Sequence, residues 1–184
     1  MSIKLLKKIH CLVEAITGET FFIAGGAVVD SLYGVEPKDY DLVLPLGFAS
    51  DAEVHQCIES FSEAFSRLGF STKVYQSYGT NMGEEINDTE FQAMFYSCMK
   101  VQMGNWQLDL LISKHHDIIS HVKHHDCNMN MVWFDGRAIQ WEHGGVEAKV
   151  ERLEFREGVC DKRINRMDIK RHKLSLLNSD SSFI

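Results

Sequence analysis

None of the five cysteines, Cys11, Cys57, Cys98, Cys127 and Cys160, stands in a C-x-x-C spacing. That excludes the usual zinc-ribbon pattern, and the odd number is unlike a secreted disulfide framework, so the thiols read as reduced and the setting as cytoplasmic. Positive charge is also in deficit. With 19 Lys+Arg against 26 Asp+Glu, the net charge is −7, so the molecule as a whole does not attract polyanions and any nucleic-acid contact must come from a local patch. Long apolar runs are missing as well. Lys7, Lys8, His10 and Glu14 break the opening segment, which therefore reads as neither signal peptide nor membrane span. No internal repeat and no inter-domain linker is visible. At 184 residues, 45% of them hydrophobic, the chain suits one well-packed domain and one active site.

Periodicity sets out the elements. Leu5, Leu6, Ile9, Leu12, Val13 and Ile16 recur at helical spacing, giving an amphipathic helix over residues 3–17 closed by Gly18. A short β-prone run, Thr20 to Ala24, breaks at Gly25-Gly26 and resumes as a helix up to Gly34. Residues 40–45 alternate as a strand, 50–68 read as a helix ending at Gly69, and 71–75 as a further strand. The acidic stretch 77–90 is expected to be a loop. Ala93 to Met103 and Trp106 to Ser113 form a hairpin across Gly104-Asn105, and Asn128 to Phe134 with Arg137 to Trp141 a second across Asp135-Gly136. A helix over 162–177 closes the pattern. Between Asp161 and Lys173 it carries six basic residues, Lys162, Arg163, Arg166, Lys170, Arg171 and Lys173, against two acidic ones. The sum is an α+β domain, a mixed sheet with helices packed on it, followed by a C-terminal helix.

The chemistry concentrates in residues 22–44. Two glycines at a strand-to-helix turn allow a phosphate to approach the backbone, although such a turn is more often only a tight turn. Asp39 and Asp41 lie two apart on a strand and so share a face, while Tyr40 and Leu42 take the other. Two carboxylates held that close repel unless a cation, such as Mg²⁺ held by oxygen ligands, neutralises them. Asp109 interrupts an apolar strand, where a charge is costly unless paired or metal-bound. It either faces water at a sheet edge or adds a third carboxylate to the pair.

That stretch resembles the head domain of the transfer-RNA CCA-adding enzymes and bacterial poly(A) polymerases, in the polymerase-β-like nucleotidyltransferase superfamily. The family writes it as Gly-Gly-x-Val-Arg-Asp, a short apolar helix, Gly, then Lys/Arg/Gly-Asp-x-Asp-apolar. Gly25, Gly26, Ala27, Val28, Asp30, Leu32, Gly34, Lys38, Asp39, Asp41, Leu42 and Val43 match in register. The resemblance runs over roughly residues 20–140 and implies a head domain at 1–160 with the basic helix and tail at 161–184. It further implies that Asp39, Asp41 and Asp109 are catalytic and ligate two Mg²⁺ ions, with Mn²⁺ as an alternative. A nucleoside triphosphate would then lie against Gly25, Gly26 and Lys38, and its nucleoside monophosphate would pass to an acceptor hydroxyl, an RNA 3′ end above others. A second family motif, Arg-Arg-Asp-Phe-Thr-x-Asn-Ala, corresponds to residues 124–131 here, so that Asp126 and Asn130 keep their spacing and would shape the pocket floor.

Two departures stand out. The family's arginine after Gly-Gly-x-Val is Val29, and the second arginine of the later motif is His125. Each lost charge-assisted contact should weaken triphosphate binding by roughly 1 to 3 kcal/mol. Lys38, Arg163 and Arg166 are the candidates to compensate. Nothing corresponds to the body and tail that grip transfer RNA, so CCA addition itself does not follow, and a homo-oligomer or a partner subunit is a further expectation. Two other readings compete: a nucleotide-binding or protein-interaction module on the same fold with catalysis lost, and a zinc site using His121 and His125 one helical turn apart.

Overall fold

The structure, a computed structural model, describes residues 2–76, 94–142 and 153–180. In chain order these form α1 (Ser2–Thr17), β1 (Phe22–Ala24), α2 (Gly26–Leu32), β2 (Asp39–Pro45), α3 (Asp51–Arg67), β3 (Ser71–Gln76), β4 (Phe95–Met103), β5 (Trp106–Ser113), α4 (Ile118–Val122), β6 (Val132–Phe134), β7 (Ile139–Trp141) and α5 (Asp161–Asp180). The expected loop at 77–90 and the last four residues of the tail lie outside the described residues.

All seven strands join one sheet in the order β3-β4-β5-β2-β1-β6-β7. Its strand pairs are antiparallel except the central one, β2 with β5. The strands alternate, so each face has its own apolar layer. Tyr40, Leu42 and Leu44 of β2, with Leu108, Leu110 and Ile112 of β5 and Met99 and Val101 of β4, enter the larger core beneath α1, α2 and α3. Leu6, Ile9 and Val13 of α1 and Val54, Ile58, Phe61 and Phe65 of α3 recur every three or four residues and supply the helical side of that layer. The opposite face holds a smaller cluster, in which Ala24, Val43, Leu111 and Trp133 pack against Ile118 and Val122 of α4. A capping box fixes the start of α3: Glu53 donates its backbone N–H to Ser50 Oγ and accepts from the Ser50 backbone.

One element differs from its sequence reading. Residues 128–130 form a single 3-10 turn, and the strand begins only at Val132. Polar side chains there take up partners off the sheet, one local and one 26 residues away. Asn128 Oδ1 accepts from Glu154 N at 3.1 Å, and Asn130 Nδ2 donates to Asp126 Oδ1 at 2.7 Å.

Candidate active site

The pleat of β2 buries Tyr40 and Leu42 completely and leaves Asp39 and Asp41 on the α4 face of the sheet. Because β2 and β5 run parallel with Asp41 opposite Asp109, the third carboxylate stands beside the second on that face. Asp39 is exposed, whereas Asp41 and Asp109 are half-buried. Burial pushes the Asp41 carboxyl up to about 7, with the negative charges of Asp39 and Asp109 adding to the shift and Lys100 and Arg163 opposing it.

Lys100 is the cation of the cluster. It sits opposite Asp109 across the β4–β5 hairpin, with Nζ 3.1 Å from Asp109 Oδ2, while Gln107 Nε2 donates to Asp109 Oδ1 at 3.2 Å. The hydrogen bond to Asp109 raises the ammonium's pKa. Neither Lys100 nor Gln107 was singled out from the sequence, yet the signal was there. A tight Gly104-Asn105 turn that pairs Met103 with Trp106 also pairs Lys100 with Asp109 by simple register.

The turn between β1 and α2 is the second component. Gly25 takes φ 63 and ψ −128, a combination that side-chain-bearing residues avoid. A Cβ there would stand 3.3 Å from His125 Cε1. His125 is buried against this turn with Nδ1 2.6 Å from the Asn130 carbonyl oxygen, and burial lowers its pKa despite that bond. It therefore packs as a neutral ring rather than a cation. Asp126 connects the motif to α5. Burial would raise its carboxyl, but the bonds from Asn130 and from Arg163 prevail and hold it below its ordinary value. Asn130 Oδ1 is buried without a hydrogen-bond partner among the described residues, while its Nδ2 also approaches Met167 Sδ at 3.8 Å.

Of the cations named from the sequence, Arg163 is engaged with Asp126, and Lys38 and Arg166 are exposed. Lys170, part of the basic patch but not among the candidates to compensate, reaches the turn instead. Its Nζ lies 2.7 Å from Asp30 Oδ1 and 3.3 Å from Gly26 O. No local pattern foretells a contact across 144 residues of chain.

Among the described residues, no three His, Cys, Asp or Glu side chains converge closely enough to hold a metal ion. For the histidines this leaves zinc without a ligand set: His121 is fully buried, faces Ser113 Oγ through Nδ1 at 2.9 Å, and is driven down to about 2 by burial and by His125, His115 and His124. The three aspartates fit a hard divalent cation by donor type and charge, since oxygen ligands suit Mg²⁺ and the burial and mutual repulsion that raise Asp41 are what a cation would offset. Asp109 is meanwhile turned onto Lys100 and Gln107.

The mixed sheet, the Gly25–Gly26 turn and the acidic central strand define a nucleotidyltransferase fold of the polymerase-β-like type. Two solved structures carry the likeness: a tRNA-processing enzyme complex, with a TM-score of 0.51 and 18% identity over 78% of this chain and 35% of that one, and a tRNA-processing enzyme in an apo form, with a TM-score of 0.51 and 16% identity over 78% and 36%. A Thermotoga maritima CCA-adding enzyme complexed with tRNA superposes less closely, at a TM-score of 0.46 and 17% identity over 73% of this chain and 27% of that one. The likeness is one of fold, and the chain spans only about a third of the length of the structures it matches. No family model and no curated protein matches the sequence. Among the described residues, no helix is long and apolar enough to cross a membrane.

Proposed function

We propose that the protein is a metal-dependent nucleotidyltransferase that moves a nucleoside monophosphate from a nucleoside triphosphate to an acceptor hydroxyl, an RNA 3′ end above other acceptors. The observation that carries the reading is the register of β2 and β5, which gathers Asp39, Asp41 and Asp109 on one sheet face beside the Gly25–Gly26 turn. In the reaction the acceptor oxygen bonds to the α-phosphorus as the bond to the bridging oxygen breaks, and pyrophosphate leaves. Two Mg²⁺ ions, or Mn²⁺ in their place, would be held by the three aspartates and would supply the positive charge that makes the hydroxyl a nucleophile and steadies the leaving group. Asp109 takes up the hydroxyl proton, and release from Lys100 frees its carboxylate to do so. Gly26, lacking a side chain, leaves the turn open to the phosphates. The Asp126–Asn130 pair shapes the pocket floor, and the exposed Lys162, Arg166 and Lys173 of α5 support RNA as the acceptor.

A second reading has its own observation. Val29 is 1% exposed, buried in the core where the resembling family has an arginine, which favours a module that binds nucleotide or protein without turnover. Incubation with each α-labelled nucleoside triphosphate, Mg²⁺ or Mn²⁺ and total RNA separates the two. Label should enter RNA in the wild type and vanish in Asp39→Ala with the fold intact. Metal-dependent binding without transfer from any triphosphate would assign the chain to the second reading.

A further inference from the structure

We propose that Lys170 is the cation that meets the triphosphate at the Gly25–Gly26 turn, supplied from α5 in place of the charge that Val29 lacks; the inference rests on the nucleotide reading above. A side chain at position 29 points into the core, so no substitution of its neighbours on α2 restores a charge from that position. Arg163 is committed to Asp126. Lys170 stands over the turn itself: a Cβ built on Gly26 would lie 3.5 Å from its Nζ, the nearest atom among the described residues outside the turn's own backbone.

The ammonium carries three N–H donors. One points to Asp30 Oδ1 at 2.7 Å and a second to Gly26 O at 3.3 Å, which leaves a third without either of these acceptors. The side chain keeps 25% of its surface exposed, so an anion can reach it. Asp30 offers a single negative charge, whereas the polyphosphate of a nucleoside triphosphate offers several on adjacent oxygens, and a flexible four-carbon stem lets the ammonium turn from one to the other. The pair Lys170–Asp30 thus holds the cation at the turn while the nucleotide is away. The α5 backbone is fixed for this by Met167 and Leu174, both buried in the main core.

Binding of ATP and of AMP to the full chain with Mg²⁺, measured by calorimetry for the wild type, Lys170→Ala, Lys170→Met, Lys170→Arg and Asp30→Asn, tests the assignment. Loss of the ammonium should weaken ATP about tenfold and AMP far less, Lys170→Arg should keep most of the affinity, and Asp30→Asn should bind ATP at least as tightly as the wild type. An ion pair that only holds α5 in place predicts instead that Lys170→Met and Asp30→Asn lose ATP equally. That result, or ATP binding unchanged in Lys170→Met, overturns the inference alone. Failure of the wild type to bind any nucleoside triphosphate overturns the nucleotide reading and the inference with it. Thermal melts identify any variant that has unfolded, in which case Lys170→Met, which keeps the stem, and Lys170→Arg answer the question.

Discussion

Asp41 lies between two like charges on a half-buried stretch of sheet, and the consequence is a stability that depends on pH. Its folded pKa of about 7 lies well above the ordinary aspartate value, so the folded state holds the proton more tightly than the unfolded chain. The stability this provides is complete below the unfolded value and is lost as pH rises through about 7. In chelator at pH 8, Asp41→Asn should therefore be more stable to urea than the wild type by about 1–3 kcal/mol, and the difference should vanish near pH 4. Equal midpoints at pH 8 would show that Lys100 and Arg163 already balance the cluster. The shared face of Asp39 and Asp41 was legible in the sequence because they lie two apart on an alternating strand, whereas Asp109 joins them only through the β2–β5 register. Their counter-charge was legible only with hairpin register added. Lys170 was beyond reach, since its position depends on how α5 docks, which composition does not encode.

Among the elements, the β1–α2 turn separates two roles that the Gly-Gly dipeptide leaves merged. Gly25 is needed by the fold: its backbone conformation excludes a side chain and a Cβ would press on His125 at 3.3 Å. Gly25→Ala should cost about 1–3 kcal/mol of stability. Gly26 has no positive φ, and a Cβ there meets Lys170 Nζ at an ordinary 3.5 Å. Gly26→Ala should melt close to the wild type yet bind ATP more weakly, because the added methyl occupies the approach to the turn. Thermal melts paired with ATP titrations check both, and a Gly26→Ala protein with full affinity would move the phosphates away from this dipeptide. The long helices and the main strands followed their hydrophobic periods closely. The 3-10 turn at residues 128–130 did not, because Asn128 and Asn130 bond side chain to neighbouring groups in a manner that periodicity does not register.

For the whole molecule, the net charge of −7 and the basic α5 pull in opposite directions. Any RNA acceptor must be held by a narrow band of cations against a repulsive background, so its affinity should fall steeply with salt. Arg166→Ala and Lys173→Ala, both on exposed positions, should each weaken RNA binding across sequences alike and reduce the salt slope by about one. Filter binding between low and moderate salt measures this, and an unchanged slope in both variants would remove α5 from the RNA path. The fold was legible at this scale because the order of apolar periods and turns allows few arrangements. The pairing of β2 with β5 was not, as neither strand carries a mark of its partner.

That parallel pairing also says when the centre comes into being. Antiparallel neighbours such as β4 and β5 meet through a short turn, whereas β2 can reach β5 only after α3, β3 and β4 have been accommodated in between. Closing so long a span is the slow kind of event in the folding of a chain. The acidic trio therefore exists only once β2 and β5 have paired; before that Asp109 is separate from the Asp39–Asp41 pair.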